Sequence, residues 1–378
     1  MAESKLINRL ALIYAGVPIR HSHLKSVTLA QWMLESGRGQ SDLAQLHYNF
    51  GGLKWPPEMA LFATKVMYQA HDGLEAYCKF ATLEHFIAGY WAFIGRAPYS
   101  GWETHIATPE DYIRFIGPIY TPKPSYAADV IRLMPEAATL LDAPPPALTA
   151  SANGAVDIGT IVLDPGHGGE AKLGGSSPNN AISVCGVKEK KLALDFCFIL
   201  RDQLLAQARA AGQKIDVVMT RTTDVNVGIA DRAALAGRNK AKAFVCLHFN
   251  GGPPQAKGAE TYYAAAANGN LNEAEDKAFA NIVHSGLMTG MRAINPAAVD
   301  RGVKPDTVSG PGVMGVLRDT ALGNTARPKK CVAAYIEAEF ITNPTIDKLL
   351  VCGPEAILNR TKVLSAVAKA IRTHMAAH

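Results

Sequence analysis

The chain has 378 residues, of which 48% are hydrophobic and 19% charged. This composition is ordinary for a globular protein and excludes extended disorder. The longest apolar stretch, residues 86–95, has about ten residues, whereas a membrane-spanning helix needs about 20, so no membrane insertion is expected. The 38 Lys and Arg residues exceed the 33 Asp and Glu residues by five. No Lys/Arg run concentrates this charge, so the sequence does not indicate a nucleic-acid partner.

The chain changes character across residues 143–159, APPPALTASANGAVDIG, where three prolines and then small residues predict a linker. Before this segment, periodicity predicts helices over 5–14, 27–35, 57–69, 83–93, 109–115 and 126–134. After it, strand-like runs (160–163, 216–219, 243–247, 260–263 and 332–337) alternate with helical ones (190–208, 229–240 and 273–291). The sequence therefore predicts a mainly α domain over 1–142 and an α/β domain over 160–378, with a mixed sheet flanked by helices.

The beginning of the chain and the cysteines bear on where the protein is made. Residues 10–19 are apolar, but they contain Pro18 and lack a small-x-small cleavage site, so we interpret them as a first helix and not as a signal peptide. Six cysteines lack any C-x-x-C pair, and Cys246 and Cys331 lie in apolar runs typical of buried thiols. We expect no disulfide framework, and synthesis in a reducing compartment, the bacterial or infected host cytoplasm.

Three short motifs of the second domain place metal-ligand side chains at element ends. In LDPGHGG, 163–169, a strand ends and a Gly/Pro turn leaves His167 at the carboxyl edge of the sheet. In CGVKEKKLAL, Glu189 begins a helix, and in FVCLHFN, His248 lies near the end of a buried strand. Two histidines and one carboxylate could hold a catalytic zinc with an open fourth position. Taken singly, a histidine at a strand end is more often structural, and a glutamate at a helix start more often complements the helix dipole.

A fourth motif, VAAYIEAEFITNP at 332–344, predicts a buried strand that carries Glu337 toward the same edge. Together the four motifs resemble the zinc-dependent N-acetylmuramoyl-L-alanine amidases of the amidase-3 type, over about 160–350. The resemblance implies one zinc per chain, with His167, Glu189 and His248 as its ligands and Glu337 as the catalytic glutamate. It implies a substrate bond between the lactyl group of N-acetylmuramic acid and L-alanine in peptidoglycan. Asn250, at the end of FVCLHFN, is a candidate substrate contact.

One position departs from that family. Glu339 stands where the family usually has glycine, and strand alternation predicts that Glu337 and Glu339 share one face. Glu339 would then either crowd the site or serve as the base itself. We rank Glu337 first.

The strongest segment of the first domain is TLAQWMLESGRGQSDLA, 28–44. Thr28, Gln31 and Glu35 fall on one polar face of a predicted helix, which the residues 36–39, Ser-Gly-Arg-Gly, end directly after Glu35. A carboxyl group at a helix end among aromatic side chains can have a raised pKa and protonate a glycosidic oxygen. The simpler interpretation is a surface glutamate that closes a helix.

This segment, followed by NFGGLKW at 49–55 and YTPKPSYAADV at 120–130, resembles the glucosaminidase family of lysozyme-like hydrolases that cut peptidoglycan glycan strands. The resemblance covers about 5–135. It implies a lysozyme-like fold, endo-β-N-acetylglucosaminidase activity with Glu35 as the catalytic acid, and Tyr126 in the cleft. Trp55, Tyr99 and Trp102 are further aromatic candidates for stacking on sugar rings, or else ordinary core residues.

The motif around Glu35 does not identify a second catalytic carboxylate for this site. Gln69 aligns where many family members carry a glutamate, which leaves Asp72 or Glu75 as candidates. Alternatively, the N-acetyl group of the substrate acts as the nucleophile and only Glu35 is essential. In a third interpretation the domain binds glycan without cutting it.

The two resemblances together predict a bifunctional peptidoglycan hydrolase that acts in the periplasm or cell wall. The alternatives are a zinc amidase with a glycan-binding helical domain, and a structural wall-binding protein without activity. Without a signal peptide, the predicted settings are a phage endolysin or a secreted antibacterial effector. An effector would require an immunity protein as a partner.

Overall fold

The computed structural model describes residues 5–17, 19–70, 73–142, 155–353 and 355–378. The chain divides into two compact units, Met1–Thr149 and Ala150–His378, here called the helical unit and the α/β unit. Within the described residues, no helix combines the length and the apolarity that a membrane crossing needs.

The helical unit is mainly α, as predicted. Its helices are α1 (Lys5–Gly16), α2 (Lys25–Glu35), α3 (Asp42–His47), α4 (Leu83–Ile94), α5 (Pro109–Tyr120) and α6 (Tyr126–Asp142), and its strands are β1 (Thr64–Ala70) and β2 (Gly73–Lys79). Short 3₁₀ turns lie at Ser22–Leu24, Pro57–Leu61, Ala97–Tyr99 and Trp102–Thr104. Trp32 on α2 is fully buried and packs edge-on against Phe86 and Tyr90 of α4, with ring centroids 4.9 and 5.0 Å away. This aromatic cluster forms the centre of the unit's core.

The prediction of a helix over 57–69 is wrong in its second half. The 3₁₀ turn ends at Leu61, and β1 then pairs antiparallel with β2. Along residues 64–69 half-buried and exposed side chains alternate, which is the period of a strand with one face covered. The pairing partner, β2, begins only at Gly73, so the local pattern of 57–69 alone did not reveal it.

The α/β unit contains one six-stranded sheet and flanking helices, which confirms the predicted fold class. Its strands are β3 (Val156–Pro165), β4 (Gln213–Met219), β5 (Ala243–Asn250), β6 (Ala259–Tyr263), β7 (Asp300–Pro305) and β8 (Val332–Phe340). Its helices are α7 (Glu189–Ala210), α8 (Ile229–Arg238), α9 (Glu273–Ile294), α10 (Asp319–Leu322), α11 (Pro344–Asp347) and α12 (Ala356–Ala377). A π-helical turn, Lys348–Cys352, lies between the last two. β3 begins inside the segment predicted as a linker, whose residues 143–154 lie outside the described part of the chain.

The strand order is β4-β3-β5-β8-β6-β7. β4, β3, β5 and β8 run parallel to one another, and β6 pairs antiparallel with β8. The sheet is therefore mixed. Because β3, β5 and β8 are parallel neighbours, their carboxyl ends meet at one edge of the sheet, which is where open α/β folds bind ligands.

Candidate active sites

The turn after β3 carries His167, whose backbone φ of 59° lies in the left-handed region. Two buried arginines hold this turn. Arg232 donates to Asp164 Oδ1 at 2.8 Å and to the carbonyl oxygen of His167 at 2.7 Å. Arg221 donates to the carbonyl oxygen of Gly166 at 2.8 Å. These charge-assisted hydrogen bonds fix an uncommon backbone conformation at the edge of the sheet.

Glu189 is the first residue of α7, and only 1% of it is exposed. Its Oε2 accepts a hydrogen bond from the backbone N–H of Ala181 at 3.0 Å, and its Oε1 accepts one from that of Phe249 at 3.1 Å. The amino end of a helix also favours a negative charge. Glu189 is therefore held as a carboxylate beneath the sheet edge.

His248 lies near the end of β5, where its Nδ1 is 3.0 Å from Glu189 Oε1. Its ring stacks on Tyr335 of β8, with centroids 4.6 Å apart and planes 15° apart. On the other side a Cβ at residue 166 would stand 2.3 Å from His248 Nε2. The glycine of the DPGHGG motif therefore provides the space that the imidazole occupies.

The structure brings His167, Glu189 and His248 together, with one ligand atom of each within 4.8 Å of the others. His167 Nδ1 is anchored 3.0 Å from the carbonyl oxygen of Ser177. The buried Nε2 of His167 makes no hydrogen bond, although it lies 3.2 Å from Glu189 Oε1. Buried polar atoms are normally satisfied. An unsatisfied imidazole nitrogen beside a carboxylate and a second imidazole is the donor set of a three-residue metal site, so these residues fit a metal ion.

The charge states of this cluster follow from burial and from the contacts just described. Burial opposes ionisation of Glu189, but the imidazoles of His167 and His248 beside its carboxylate outweigh this effect and hold the pKa of Glu189 below its ordinary value. Burial lowers the pKa of His248, although Glu189 opposes this effect. A neutral imidazole and an ionised carboxylate are the forms that bind metal ions.

Glu337 lies on β8 directly opposite His248 of β5 and opposite Glu260 of β6. Its Oε2 is buried and has no hydrogen-bond partner. Burial, and then repulsion by Glu189 and Glu260, raises the pKa of Glu337 well above its ordinary value. A carboxyl group that holds a proton readily, next to the metal-competent cluster, suits a role in proton transfer.

Glu339 does not share the face of Glu337, contrary to the expectation from alternation. β5 and β8 pair His248 with Glu337 but Asn250 with Phe340, so β8 holds one extra residue between the two pairs. This bulge interrupts the alternation. Glu339 is buried, and its Oε2 accepts hydrogen bonds from the backbone N–H groups of Gly258 and Phe340 at 2.7 and 2.9 Å.

Asn250, predicted to contact substrate, donates to Glu260 Oε1 at 2.9 Å. The other oxygen of Glu260 accepts hydrogen bonds from Arg301 at 3.0 Å and Lys304 at 2.6 Å. Sequence reasoning missed Glu260. Its partners Arg301 and Lys304 lie more than 40 residues later in the sequence, and the acid itself lies in a strand among mainly apolar neighbours.

In the helical unit, Glu35 is the last residue of α2. Its Oε1 accepts a hydrogen bond of 2.6 Å from the hydroxyl of Tyr126, whose ring stacks on Tyr120 with centroids 6.0 Å apart. Tyr120 in turn donates to the carbonyl oxygen of Gly51. Burial raises the pKa of Glu35 against the opposing effects of Tyr126 and Lys123. Glu35 is thus a half-buried carboxyl group among tyrosines and not an open surface residue.

Two protein-family models match the chain. The family model of N-acetylmuramoyl-L-alanine amidase, Amidase_3, matches residues 161–373, more than half of the chain. The chain belongs to this family. A second model, the glucosaminidase family described as mannosyl-glycoprotein endo-beta-N-acetylglucosaminidase, matches residues 14–139. Both resemblances inferred from the motifs, and their order along the chain, are confirmed.

Individual relatives match parts of the chain. It is 35% identical over 92 residues to N-acetylmuramoyl-L-alanine amidase CwlM of Bacillus licheniformis, which covers 24% of this chain and 32% of that protein. It is 29% identical over 162 residues to the endolysin of Bacillus phage SPP1, covering 43% of this chain and 51% of that protein. The chain thus spans about half or less of the length of these two relatives.

Among solved structures, the amidase AmiC2 of Nostoc punctiforme aligns at 20% identity and a TM-score of 0.42, covering 59% of this chain and 99% of that one. Cwp6 of Clostridium difficile aligns at 24% identity and a TM-score of 0.43, covering 65% of this chain and 33% of that one.

The candidates for a second carboxylate in the helical unit have different outcomes. Asp72 lies outside the described residues. Glu75 lies on β2, opposite Tyr68 of β1, and forms an ion pair with Lys54. Gln69 lies in β1 and pairs with Leu74 of β2. The carboxyl group of Glu75 is therefore already engaged with a cation.

The aromatic candidates also differ from one another. Tyr126 contacts Glu35, as described above. Trp55 is half-buried and packs against the core of the helical unit. Tyr99 is buried, and Trp102 packs on Trp91 with centroids 5.6 Å apart. These two therefore contribute to core packing.

The cysteines require a correction. Cys185 and Cys352 form a disulfide across a sequence separation of 167 residues, whereas we expected no disulfide framework and did not anticipate this pair. The four remaining cysteines, Cys78, Cys197, Cys246 and Cys331, are free and buried. The spacing of the pair carries no local signal, because only the fold brings the loop before α7 next to the segment before α12.

Proposed function

We propose that the chain is a bifunctional peptidoglycan hydrolase. The α/β unit would cleave the amide bond between the lactyl group of N-acetylmuramic acid and L-alanine. The helical unit would cleave the glycan strand as an endo-β-N-acetylglucosaminidase. The observation that carries the proposal is the convergence of His167, Glu189 and His248 beside Glu337 in a chain of the amidase family. Both scissile bonds occur in one polymer, which accounts for the fusion of the two units.

The proposed ion is zinc, held by His167, Glu189 and His248. Two imidazoles and one carboxylate with a free fourth position suit catalytic zinc. The unsatisfied Nε2 of His167 and the ionised state of Glu189 support this assignment. When bound, the ion would polarise the scissile carbonyl and lower the pKa of its water toward about 7.

Glu337 is the proposed general base and acid. Its side chain is held on β8 opposite His248, and it would take a proton from the attacking water and return that proton to the leaving amine of L-alanine. The raised pKa of Glu337 favours uptake of the proton. The bonds of Glu339 to Gly258 and Phe340 assign Glu339 a structural role instead.

In the helical unit Glu35 is the proposed general acid. A carboxyl group with a raised pKa remains protonated at higher pH, as protonation of a glycosidic oxygen requires. The nucleophile that best suits the described residues is the N-acetyl group of the substrate, since Glu75 pairs with Lys54. Tyr126 would border the cleft, and half-buried Trp55 would be the candidate for stacking on a sugar ring.

The alternative is a single-activity zinc amidase whose helical unit only binds glycan. The observation in its favour is Gln69, a neutral residue where a carboxylate is expected, together with the engagement of Glu75. In either case the proposed substrate is peptidoglycan, in the periplasm or the cell wall. Under the effector setting an immunity protein would be a partner, and neighbouring genes would separate that setting from a phage lysin.

One experiment tests both activities. Purified full-length protein is incubated with peptidoglycan, and free stem peptides and new reducing ends are measured with and without a zinc chelator. We expect one zinc per chain by elemental analysis, loss of stem-peptide release on chelation, and unchanged formation of reducing ends. Stem-peptide release that survives complete removal of zinc would contradict the amidase mechanism. Stem peptides without any new reducing end would favour the alternative.

A further inference from the structure

A chain of buried hydrogen bonds leads through the helical unit to Glu35. The hydroxyls of Tyr112 and Tyr90 are 2.8 Å apart, and Tyr90 donates to Gln31 Oε1 at 2.5 Å. Gln31 Nε2 donates to the hydroxyl oxygen of Tyr126 at 3.0 Å, and Tyr126 donates to Glu35 Oε1 at 2.6 Å. Gln31, Tyr90 and Tyr112 are 0% exposed and Tyr126 is 4% exposed. Water therefore does not substitute for any link of the chain.

The orientation of the Gln31 amide determines the donor-to-acceptor direction of this series of hydrogen bonds. Its carbonyl end accepts the hydrogen of Tyr90, so its amino end faces Tyr126. A neutral tyrosine hydroxyl has a single hydrogen. Burial raises the pKa of Tyr126 above its ordinary value, so Tyr126 is neutral. Because its oxygen accepts a hydrogen bond from Gln31, its own hydrogen is directed at Glu35.

The direction of these hydrogen bonds determines which oxygen of Glu35 carries the proton when the carboxyl group is neutral. The tyrosine hydrogen occupies the 2.6 Å gap between Tyr126 and Glu35 Oε1, and the carbonyl oxygen of a neutral carboxyl group is a stronger acceptor than its hydroxyl oxygen. When Glu35 is protonated, Oε1 is therefore the carbonyl oxygen and the hydrogen is on Oε2. Oε2 lies on the side of Gly52, where a Cβ would stand 3.6 Å away.

We propose that Gln31 is a positioning residue that holds Tyr126 as a donor to Glu35 Oε1, so that Glu35 presents its transferable proton on Oε2, on the side of Gly52. This role rests on the proposed glycosidase function of the helical unit. Gln31 touches neither substrate nor the reacting oxygen, and it acts only through Tyr126.

Replacing Gln31 by methionine removes the amide and keeps a side chain of similar length. The oxygen of Tyr126 can then accept a hydrogen bond from protonated Glu35, an arrangement that Gln31 excludes in the wild type. This stabilises the neutral form, so the pKa of Glu35 rises. The proton then lies between Glu35 and Tyr126 and is less available to substrate. The other titratable groups that act on Glu35, namely Lys123, Tyr99 and Tyr120, are unchanged.

The test uses full-length protein labelled with ¹³C-glutamate. The titration of Glu35 is followed by NMR, with Glu35→Gln identifying its signal, and reducing-end formation is measured against pH. For Gln31→Met we expect the Glu35 pKa to rise, the basic limb of the pH profile to move to higher pH, and kcat to fall about tenfold with little change in KM. Tyr126→Phe removes the donor itself and should also raise the Glu35 pKa.

The matched control is Thr28→Val. Thr28 is on the same helix as Gln31 and is equally buried. Its hydroxyl is hydrogen-bonded to that of Tyr14, which is not a member of the hydrogen-bond series that leads to Glu35. It should leave the Glu35 titration and the pH profile unchanged. An unchanged Glu35 titration in correctly folded Gln31→Met, or an equal shift in Thr28→Val, would overturn the inference. If wild-type protein forms no reducing ends, the glycosidase proposal fails separately, and the NMR titration alone decides whether Gln31 directs Tyr126.

Discussion

Gly166 lies against the imidazole of His248, so closely that a Cβ at residue 166 would stand 2.3 Å from both Cε1 and Nε2 of the ring. Real Cβ atoms do not approach other atoms this closely, and the ring is held from behind by Tyr335 of the sheet. The glycine before His167 thus determines the position of a second side chain of the cluster, on a different strand.

We therefore expect Gly166→Ala to displace His248 and to abolish zinc binding. The measurement is zinc per chain by elemental analysis, with circular dichroism to check the fold. Gly310→Ala is the matched control, because nothing lies within 4 Å of the added Cβ there. If Gly166→Ala still contained one zinc per chain, zinc binding would not depend on the position that His248 has in the structure.

The two glutamates of β8 give a second prediction. Glu337→Gln should retain zinc and lower the amidase rate by about 10²–10⁴-fold, the usual contribution of general acid–base catalysis. Glu339→Gln should leave the rate nearly unchanged, because a glutamine oxygen can still accept the hydrogen bonds from Gly258 and Phe340. Stem-peptide release from peptidoglycan measures both. The opposite ranking would make Glu339 the catalytic base.

These glutamates also mark the limit of what the sequence can predict. Motifs at element ends were sufficient to bring His167, Glu189 and His248 to one edge, since the carboxyl ends of parallel strands meet there. Alternation was not sufficient for Glu339, because a bulge depends on the partner strand.

The same limit applies in the helical unit. Periodicity placed Gln31 on a polar face with Thr28 and Glu35, and such a face is normally solvated. Gln31 is instead fully buried, since Tyr90 and Tyr126, 59 and 95 residues away in sequence, supply its hydrogen bonds. Contacts of such separation have no signature in a local pattern.

The disulfide leads to a third prediction. The disulfide attaches Cys352 to Cys185, which lies four residues after Ala181. The backbone N–H of Ala181 donates a hydrogen bond to Glu189 Oε2. Reduction, or Cys352→Ser, should destabilise the α/β unit by about 2–4 kcal/mol, because it frees a long loop in the unfolded chain. Zinc affinity should fall as well, since the loop supports Glu189. Denaturant unfolding with and without a thiol reductant measures the first effect, and competition with a zinc chelator measures the second.

A variant provides the control for that experiment. In Cys185→Ala the reductant should have no further effect on stability or zinc affinity, because the pair is already absent. A reductant effect of equal size in that variant would assign the loss to something other than the disulfide.

The last prediction concerns stability and pH in the helical unit. Burial raises the folded-state pKa of Glu35 above its unfolded value, so the folded form binds the proton more tightly. This contribution to stability is fully present below the unfolded pKa and is lost as the pH rises through the folded pKa. At neutral pH the buried charge therefore costs stability that Glu35→Gln should restore. We expect Glu35→Gln to melt at a higher temperature than wild type at pH 7, with the difference vanishing toward pH 3, where both side chains are neutral.

Calorimetry of full-length protein at the two pH values measures this, using the transition of the helical unit. A variant that is less stable than wild type at pH 7 would show that the ionised form of Glu35 is stabilised by its neighbours, and Glu35 would then be poorly suited to act as the acid.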